Sequence, residues 1–178
     1  MNLSIVTINY NSSEHTIKLL ESLRKQTPSA NSGQVDFQII VVDNNSDPGQ
    51  KLLLKNSIAE ISNIVFIENS ENLGFSGGNN VGIRRALQDG AEWVVFLNND
   101  TVVGESFIEK LKLALDNKIG VAGFTMEENG QISYAGKIEW LKPTLSHIHE
   151  NPGDINHYVI GGGLAVQREV FDRVGFLN

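Results

Sequence analysis

The stretch Trp93-Val94-Val95-Phe96-Leu97-Asn98-Asn99-Asp100-Thr101 indicates both the fold of the chain and the place of its chemistry. Its apolar half predicts a strand that is buried on both faces, as in a parallel sheet covered by helices. Three polar side chains then follow directly, at the strand end where open α/β sheets bind their ligands. Asp100 can hold a hard divalent cation through oxygen, and Asn98 or Asn99 can contact a sugar hydroxyl or a water. Taken alone, such a tripeptide is more often an ordinary turn or helix cap.

Earlier segments repeat this pattern of strand, polar turn and helix. Strands are predicted at residues 3–8, 37–42 and 64–67, and again at 121–124 after the central stretch. Apolar residues three or four positions apart predict helices over 14–26, 49–61 and 105–116, and a further helix after the glycines of residues 74–78. The alternation predicts an α/β fold with right-handed crossovers and a mostly parallel central sheet flanked by helices.

The pattern changes after residue 126. Asn129 and Gly130 are typical of a hairpin turn. Residues 137–157 have no clear periodicity and are expected to form a loop over a site. A strand is predicted to start at Tyr158, the glycines at 161–163 permit close backbone approach, and residues 168–174 form a short helix.

The composition is that of one globular domain. The 178 residues are 40% hydrophobic and 20% charged, with a net charge of −7 and a pI near 5.0. This acidic balance argues against a general nucleic-acid or anionic-membrane surface. The absence of cysteine excludes disulfides, thiolate metal sites and a cysteine nucleophile. Without a basic leader or a run of ~20 apolar residues, a cytoplasmic protein with no transmembrane segment is expected.

Each candidate site residue also has a structural interpretation. The segment Gly74-Phe75-Ser76-Gly77-Gly78 matches neither a P-loop nor a dinucleotide fingerprint, and it reads more simply as a helix start than as a phosphate site. Asp43 and Asp47 can be turn or cap residues. Tyr10 can support a base or belong to the core. His147 and His149 can form a metal pair, but a solvated loop is the more common explanation.

The order of these segments resembles that of family two nucleotide-sugar glycosyltransferases, and most closely their rhamnosyltransferase-like members. The resemblance lies in Asn9-Tyr10-Asn11-Ser12, Asp43-Asn44-Asn45-Ser46, Asn72 to Asn80 and Asn98-Asn99-Asp100, and it continues through Gly161-Gly162-Gly163 to Val174-Gly175. It implies a GT-A fold and an inverting transfer from a nucleoside-diphosphate sugar, with dTDP-rhamnose as the expected donor. The implied acceptor is a saccharide or lipid-linked saccharide of cell-surface polysaccharide synthesis. Such an acceptor implies that the protein works at the inner face of the membrane, attached peripherally through regions or partners outside this sequence. No oligomeric state is predicted.

The resemblance also implies site residues. Tyr10, Asp43 and Asn44 match the base and ribose contacts, and Asp47 would support their loop. Further nucleotide-sugar contacts are implied for Asn9, Asn72, Gly74, Gly78, Asn79, Asn98 and Asn99. Asp100 matches the ligand of Mg²⁺ or Mn²⁺.

Two departures from the family pattern are expected to matter. Asn98 replaces the usual first aspartate of the metal motif, which removes one negative charge. The family places its general base shortly after the segment that matches residues 174–176, and the base is therefore expected downstream of Asn178. We expect residues 1–178 to form a single, truncated domain, with residues 1–126 as the nucleotide-sugar half and residues 127–178 as the start of the acceptor-side half.

Two other functions remain open at this point. A non-catalytic nucleotide-binding or scaffolding domain would explain the missing base and the asparagine at position 98. A nucleotidyltransferase also uses a parallel sheet and acidic metal ligands. It usually has a glycine-rich basic loop after the first strand, however, and residues 9–14 contain neither glycine nor a basic residue.

Overall fold

The computed structural model describes residues 1–26, 37–115, 120–138, 145–149 and 162–178. Within these residues strands and helices alternate up to β5, as the sequence predicts. In chain order the elements are β1 (Leu3–Asn9), α1 (Ser13–Arg24), β2 (Phe37–Asp43), α2 (Pro48–Ile58), β3 (Ile64–Glu68), α3 (Gly74–Gln88), β4 (Trp93–Leu97), α4 (Phe107–Ala114), β5 (Val121–Gly123), β6 (Met126–Glu128), β7 (Gln131–Ser133), β8 (Ala135–Ile138), β9 (Leu145–Ile148), β10 (Gly163–Gln167) and α5 (Arg168–Val174).

The central sheet has its strands in the order β3-β2-β1-β4-β10-β5. β1 pairs in parallel with β2 and β4, and β2 pairs in parallel with β3. Only β10 runs antiparallel to its neighbours β4 and β5. The register of β1 and β2 aligns Asn9 with Asp43, so the polar ends of these strands lie side by side. The predicted α/β fold with a mostly parallel sheet is confirmed.

Helices cover both faces of this sheet. One core includes Leu19 of α1, Leu54 of α2 and Ile108 of α4. The other includes Ile83 of α3 and Phe171 of α5. Burial of each such large side chain contributes about 1.5–3 kcal/mol. Because both faces are covered, the strand ends are the part of the sheet left open to a ligand.

The interpretation of residues 74–78 as a helix start is confirmed. The helix includes these glycines and does not merely follow them, since α3 begins at Gly74, where φ is +68°. The reason is close packing of the helix on the sheet. A Cβ at Gly78 would lie 3.1 Å from Ile8 Cδ1, and a Cβ at Gly82 would overlap the side chain of Val6. The glycines therefore let α3 lie directly on β1.

The turn predicted at residues 128–131 is confirmed. Asn129 and Gly130 both have positive φ, +52° and +78°, between the paired strands β6 and β7. Adjacent residues with positive φ match the right-handed twist of a hairpin, and Asn-Gly tolerates them.

The prediction of a loop over residues 137–157 was partly wrong. β8 and β9 form an antiparallel pair in which Gly136 faces His147. Backbone pairing needs no clear hydrophobic periodicity, which is why the pattern did not reveal it. Residues 139–144 and 150–157 of that segment, including Trp140 and His157, lie outside the described residues, as does the strand start predicted at Tyr158.

The helices in the described ranges are short. The longest is α3, with 15 residues, whereas a membrane span needs ~20 apolar residues. None of the described helices is long and apolar enough to cross a membrane.

Replacement of Gly82 by alanine tests the close packing of α3 on the sheet. The new Cβ would overlap Val6 and come within 3.3 Å of Val42 Cγ2, so we expect Gly82→Ala to lower the free energy of unfolding by about 1–3 kcal/mol. Gly49→Ala in α2 is the matched control, because its Cβ would meet nothing within 4 Å. Urea denaturation of both variants measures the difference, and equal stabilities would contradict this account of the packing.

Candidate functional site

The carboxyl ends of β1, β2 and β4 surround a cavity of about 380 Å³, and the first turn of α3 forms part of its wall. Tyr10, Asn44 and Asp100, which follow β1, β2 and β4, all line this one cavity. The described lining consists of Ile8, Tyr10, Ser12, Asn44, Asn72, Gly74, Phe75, Asn79, Phe96, Leu97, Asn98, Asn99 and Asp100.

The sequence-predicted site residues fall into two groups. Most of them are part of the lining just given. Asn9, Asp43 and Gly78 are not, and they are buried behind the cavity wall. These three residues can therefore influence the cavity only by positioning the residues that line it.

A buried hydrogen-bond network joins the ends of β1 and β2. Asn9 Nδ2 donates to Asp43 Oδ1 at 2.9 Å and to Ser46 Oγ at 3.0 Å. Thr16 Oγ1 in α1 donates to Asn9 Oδ1 at 2.8 Å. Asn9, Asp43 and Thr16 are each 0% exposed. Because an unpaired buried polar group costs about 1–3 kcal/mol, this network fixes the two strand ends and α1 relative to one another.

The charge of Asp43 is compensated inside the protein. Lys51 Nζ lies 3.8 Å from Asp43 Oδ2, and the backbone N–H of Ser46 donates to the same oxygen at 3.0 Å. Burial of a carboxylate is costly unless such partners surround it. The negative charge of Asp43 therefore serves the loop after β2 and is not directed into the cavity.

The loops after β1 and β2 both contain an asparagine in the left-handed region, Asn11 (φ +49°) and Asn45 (φ +66°). Asparagine adopts this conformation more readily than most residues. Asn11 Oδ1 accepts from the backbone N–H of Asp47 at 2.7 Å. The predicted support of the loop by Asp47 thus involves its backbone.

The three polar residues after β4 have different surroundings. Asn99 Nδ2 donates to Thr16 Oγ1 at 3.1 Å, which links the end of β4 to the buried network. The side chains of Asn98 and Asp100 have no hydrogen-bond partner within the part of the chain that the structure describes. They are therefore available to a ligand.

Asp100 is the only carboxylate in the described lining of the cavity, and it is exposed. Across the described ranges no cluster of three or more His, Asp or Glu could hold a metal ion. Mg²⁺ is usually bound by one or two carboxylates together with substrate phosphates. The donor set therefore fits a cation that is shared with a diphosphate.

Two exposed aromatic side chains stand at the cavity, Tyr10 (50% exposed) and Phe75 (62% exposed). The remaining apolar lining comes from Ile8, Phe96 and Leu97. Exposed aromatic rings beside a concave surface are typical of ligand sites. Phe75 was not named as a site residue from the sequence, although it belongs to the segment of residues 72–80 in which the family resemblance lies.

His149 is not part of the described lining of this cavity. His149 Nδ1 lies 2.9 Å from the carbonyl oxygen of Ile132. His147 belongs to β9, and its side chain lies outside the described residues. The structure therefore shows a backbone partner for His149, and it does not distinguish a metal pair from a solvated loop.

Comparison with known proteins identifies related sequences. The model of the Glycosyl transferase family 2 matches residues 4–175. A dTDP-rhamnosyl transferase of Shigella flexneri, RfbF, is 30% identical over 145 residues, which are 79% of this chain and 48% of that protein. The low-salt glycan biosynthesis hexosyltransferase Agl10 of Haloferax volcanii is 27% identical over 99% of this chain and 56% of its own length. The chain thus spans about half the length of the curated relatives it matches.

A solved structure shows the same fold. The mannosyltransferase PcManGT from Pyrobaculum calidifontis, in complex with GDP-Man and Mn²⁺, superposes with a TM-score of 0.68 at 15% identity. The match covers 99% of this chain and 47% of that one. The fold predicted from the sequence, a GT-A glycosyltransferase fold, is confirmed.

Replacement of Asp43 by asparagine tests the buried network. The new amide would place N–H groups against Asn9 Nδ2 or the N–H of Ser46 and would leave Lys51 without its counter-charge. We expect Asp43→Asn to lower the free energy of unfolding by about 2–4 kcal/mol. Chemical denaturation provides the measurement.

The matched control for that variant is Glu68→Gln. Glu68 forms a 2.7 Å ion pair with Lys55, but both side chains are more than 40% exposed. An exposed pair of this kind contributes about 0–1 kcal/mol. A loss of stability in Asp43→Asn that is no larger than in Glu68→Gln would show that the network is unimportant.

Proposed function

The chain belongs to glycosyl transferase family 2, and from this membership we propose that its cavity binds the nucleoside diphosphate of a sugar donor. The main support is the convergence of three kinds of group: the aromatic ring of Tyr10, the free amide of Asn98 and the carboxylate of Asp100. A nucleotide sugar offers a matching set, namely a base that stacks, hydroxyls that bond to amides and a diphosphate that binds a cation.

Tyr10 supports the base. Its ring is half exposed at the end of β1, on the cavity wall. Stacking on such a ring contributes about 1–3 kcal/mol per base and tolerates different bases. Asn9 and Asp43, which are buried, stabilise the loop that carries Tyr10 through the hydrogen-bond network that joins β1 to β2.

Asparagine side chains bind the ribose and the sugar. Asn98 has both its donor and its acceptor groups free of described partners. Asn79 is 3% exposed, and its Nδ2 donates to the carbonyl of Phe75 at 3.1 Å, which orients the amide. Asn72 lines the same wall before the start of α3 at Gly74. Neutral amides suit hydroxyl groups because each amide both donates and accepts.

Asp100 holds Mg²⁺ or Mn²⁺ jointly with the diphosphate. Such a cation stabilises the negative charge that the diphosphate gains as the bond to the sugar breaks. Asn98 supplies a neutral amide where the family resemblance implies an aspartate. The binding of the cation therefore depends more on the negative charge of the phosphates. The Mn²⁺ in the similar mannosyltransferase supports this assignment.

The donor is a deoxyhexose nucleotide such as dTDP-rhamnose. Ile8, Phe96 and Leu97 give the cavity an apolar surface, on which a methyl group is more favourable than a hydroxymethyl group that must be desolvated. The similarity to the Shigella protein, which is named a dTDP-rhamnosyl transferase, supports the choice of dTDP-rhamnose as the donor.

The reaction is transfer with inversion to a saccharide or lipid-linked saccharide in cell-surface polysaccharide synthesis, at the inner face of the membrane. The acceptor hydroxyl attacks from the face opposite the diphosphate, and a general base takes its proton. Asp100 is committed to the cation, so the base is a residue outside the described lining. Residues 1–126 form the donor half, and residues 127–178 begin the acceptor side.

Replacement of Asp100 by alanine tests the cation site. The side chain is exposed and makes no described hydrogen bond, so we expect the variant to fold normally and to lose the enhancement of nucleotide binding by Mn²⁺. Calorimetric titration with dTDP and UDP, with and without Mn²⁺, provides the measurement.

Glu105→Ala is the control for that experiment. Glu105 is an exposed carboxylate on the same connection, but it does not line the cavity. We expect it to retain metal-enhanced binding. Metal-enhanced binding that survives in Asp100→Ala would refute the assignment of Asp100.

Substitution of Tyr10 tests the stacking of the base. Tyr10→Ala is expected to weaken the binding of dTDP and UDP about tenfold, while Tyr10→Phe keeps the ring and most of the affinity. Tyr134→Ala removes an exposed tyrosine outside the cavity lining and serves as the control. Equal affinities for wild type and Tyr10→Ala would place the base elsewhere.

A further inference from the structure

The side chain of Asn44 is saturated by hydrogen bonds to the segment of residues 69–74, which connects β3 to α3. Nδ2 donates to Asn72 Oδ1 at 2.7 Å and to the carbonyl of Gly74 at 3.1 Å. Oδ1 accepts from Asn69 Nδ2 at 3.0 Å and from the N–H of Leu73 at 3.1 Å. A primary amide has two N–H donors and two acceptor lone pairs. All four positions are therefore occupied by the protein.

Burial leaves little of this residue for a ligand. Asn44 is 2% exposed, although it forms part of the cavity wall. Its backbone N–H also donates to the carbonyl of Asn9 at 2.7 Å, which ties it to β1. A contact with a ribose or a base would first have to break one of the bonds inside the wall.

Helix α3 depends on this amide at its first turn. The residue before the helix, Leu73, provides no side-chain cap. The amide of Asn44 instead fixes the entry to the helix, since it accepts from the N–H of Leu73 and donates to the carbonyl of Gly74. Asn72 Oδ1, held by Asn44, also accepts from the N–H of Gly74 at 2.9 Å.

We propose that Asn44 is a positioning residue, which shapes residues 69–74 and the start of α3 so that this wall fits the donor, and that it does not itself contact the nucleotide. The proposal rests on the nucleotide-sugar function proposed above. It differs from the direct base or ribose contact that the family resemblance implies for this position. The donor is then contacted by groups of the same wall that stay accessible, such as the exposed Asn72.

The test compares Asn44→Ala with wild type in two measurements. First, the dissociation constants of dTDP, UDP and GDP are measured well below the unfolding temperature. We expect all three to rise by the same factor, about tenfold or more, as for other residues that orient a binding group from behind. Second, amide hydrogen exchange in residues 69–74 of the nucleotide-free protein is expected to become faster.

Asn69→Ala provides a milder variant that will keep the fold. Asn69 is partly exposed and does not line the cavity, so it can affect the nucleotide only through Asn44. Loss of its single hydrogen bond to Asn44 is expected to weaken the binding of all three nucleotides by about threefold.

Asn45→Gly is the matched control. Asn45 is the exposed neighbour whose Oδ1 accepts from Lys51 Nζ at 3.2 Å, and glycine tolerates its positive φ. We expect it to change neither measurement.

Three results would overturn the proposal. They are a loss of affinity confined to nucleotides with one base or one type of ribose, unchanged exchange in residues 69–74, and a lower denaturation midpoint with wild-type affinity. Failure of the wild-type chain to bind any of the three nucleotides would instead refute the proposed function. The exchange measurement would then still decide whether Asn44 holds the segment.

Discussion

The pairing of Asn9 with Asp43 is the contact on which the rest of the site depends. Strands β1 and β2 are adjacent and in register, so their polar ends enter the protein interior together, where unsatisfied polar groups are costly. Each side chain satisfies the other, and Ser46 and Thr16 complete the set. This hydrogen-bonded pair fixes the ends of β1 and β2 at the same level in the sheet. It thereby places Tyr10 and Asn44, the next residues along each strand, at the cavity.

The site consists almost entirely of neutral groups. Amides form most of its polar lining, Asp43 is neutralised behind the wall by Lys51, and Asp100 is the single carboxylate in the described lining. A low density of fixed charge favours a ligand that brings its own charge together with a cation, since neither has to overcome repulsion from the wall.

Much of the fold could be predicted from the sequence, because the buried strands are continuous apolar runs and each is followed by a polar turn. That polar strand ends meet at one edge follows from the parallel topology, whereas the choice of Tyr10, Asn44 and Asp100 among them rested on the family resemblance. The extent of α3 through the glycine-rich segment was harder to predict, since glycine disfavours helices by local propensity and only the close contact of Gly78 with Ile8 explains its use there. The sequence also could not distinguish Asn44, which is saturated, from Asn98, which is free. Both are asparagines after a strand, and their difference lies in partners that are distant in sequence.

The position of β10 has a consequence for how the protein is made. This strand pairs Gly163 with Leu97 and separates β4 from β5, although it is synthesised long after both. On the ribosome, the parallel half of the sheet therefore emerges first, with the fully apolar β4 as a temporary open edge. Unpaired apolar edges recruit other chains into aggregates. The nascent protein thus passes through a vulnerable interval that ends only when residues 163–167 join the sheet.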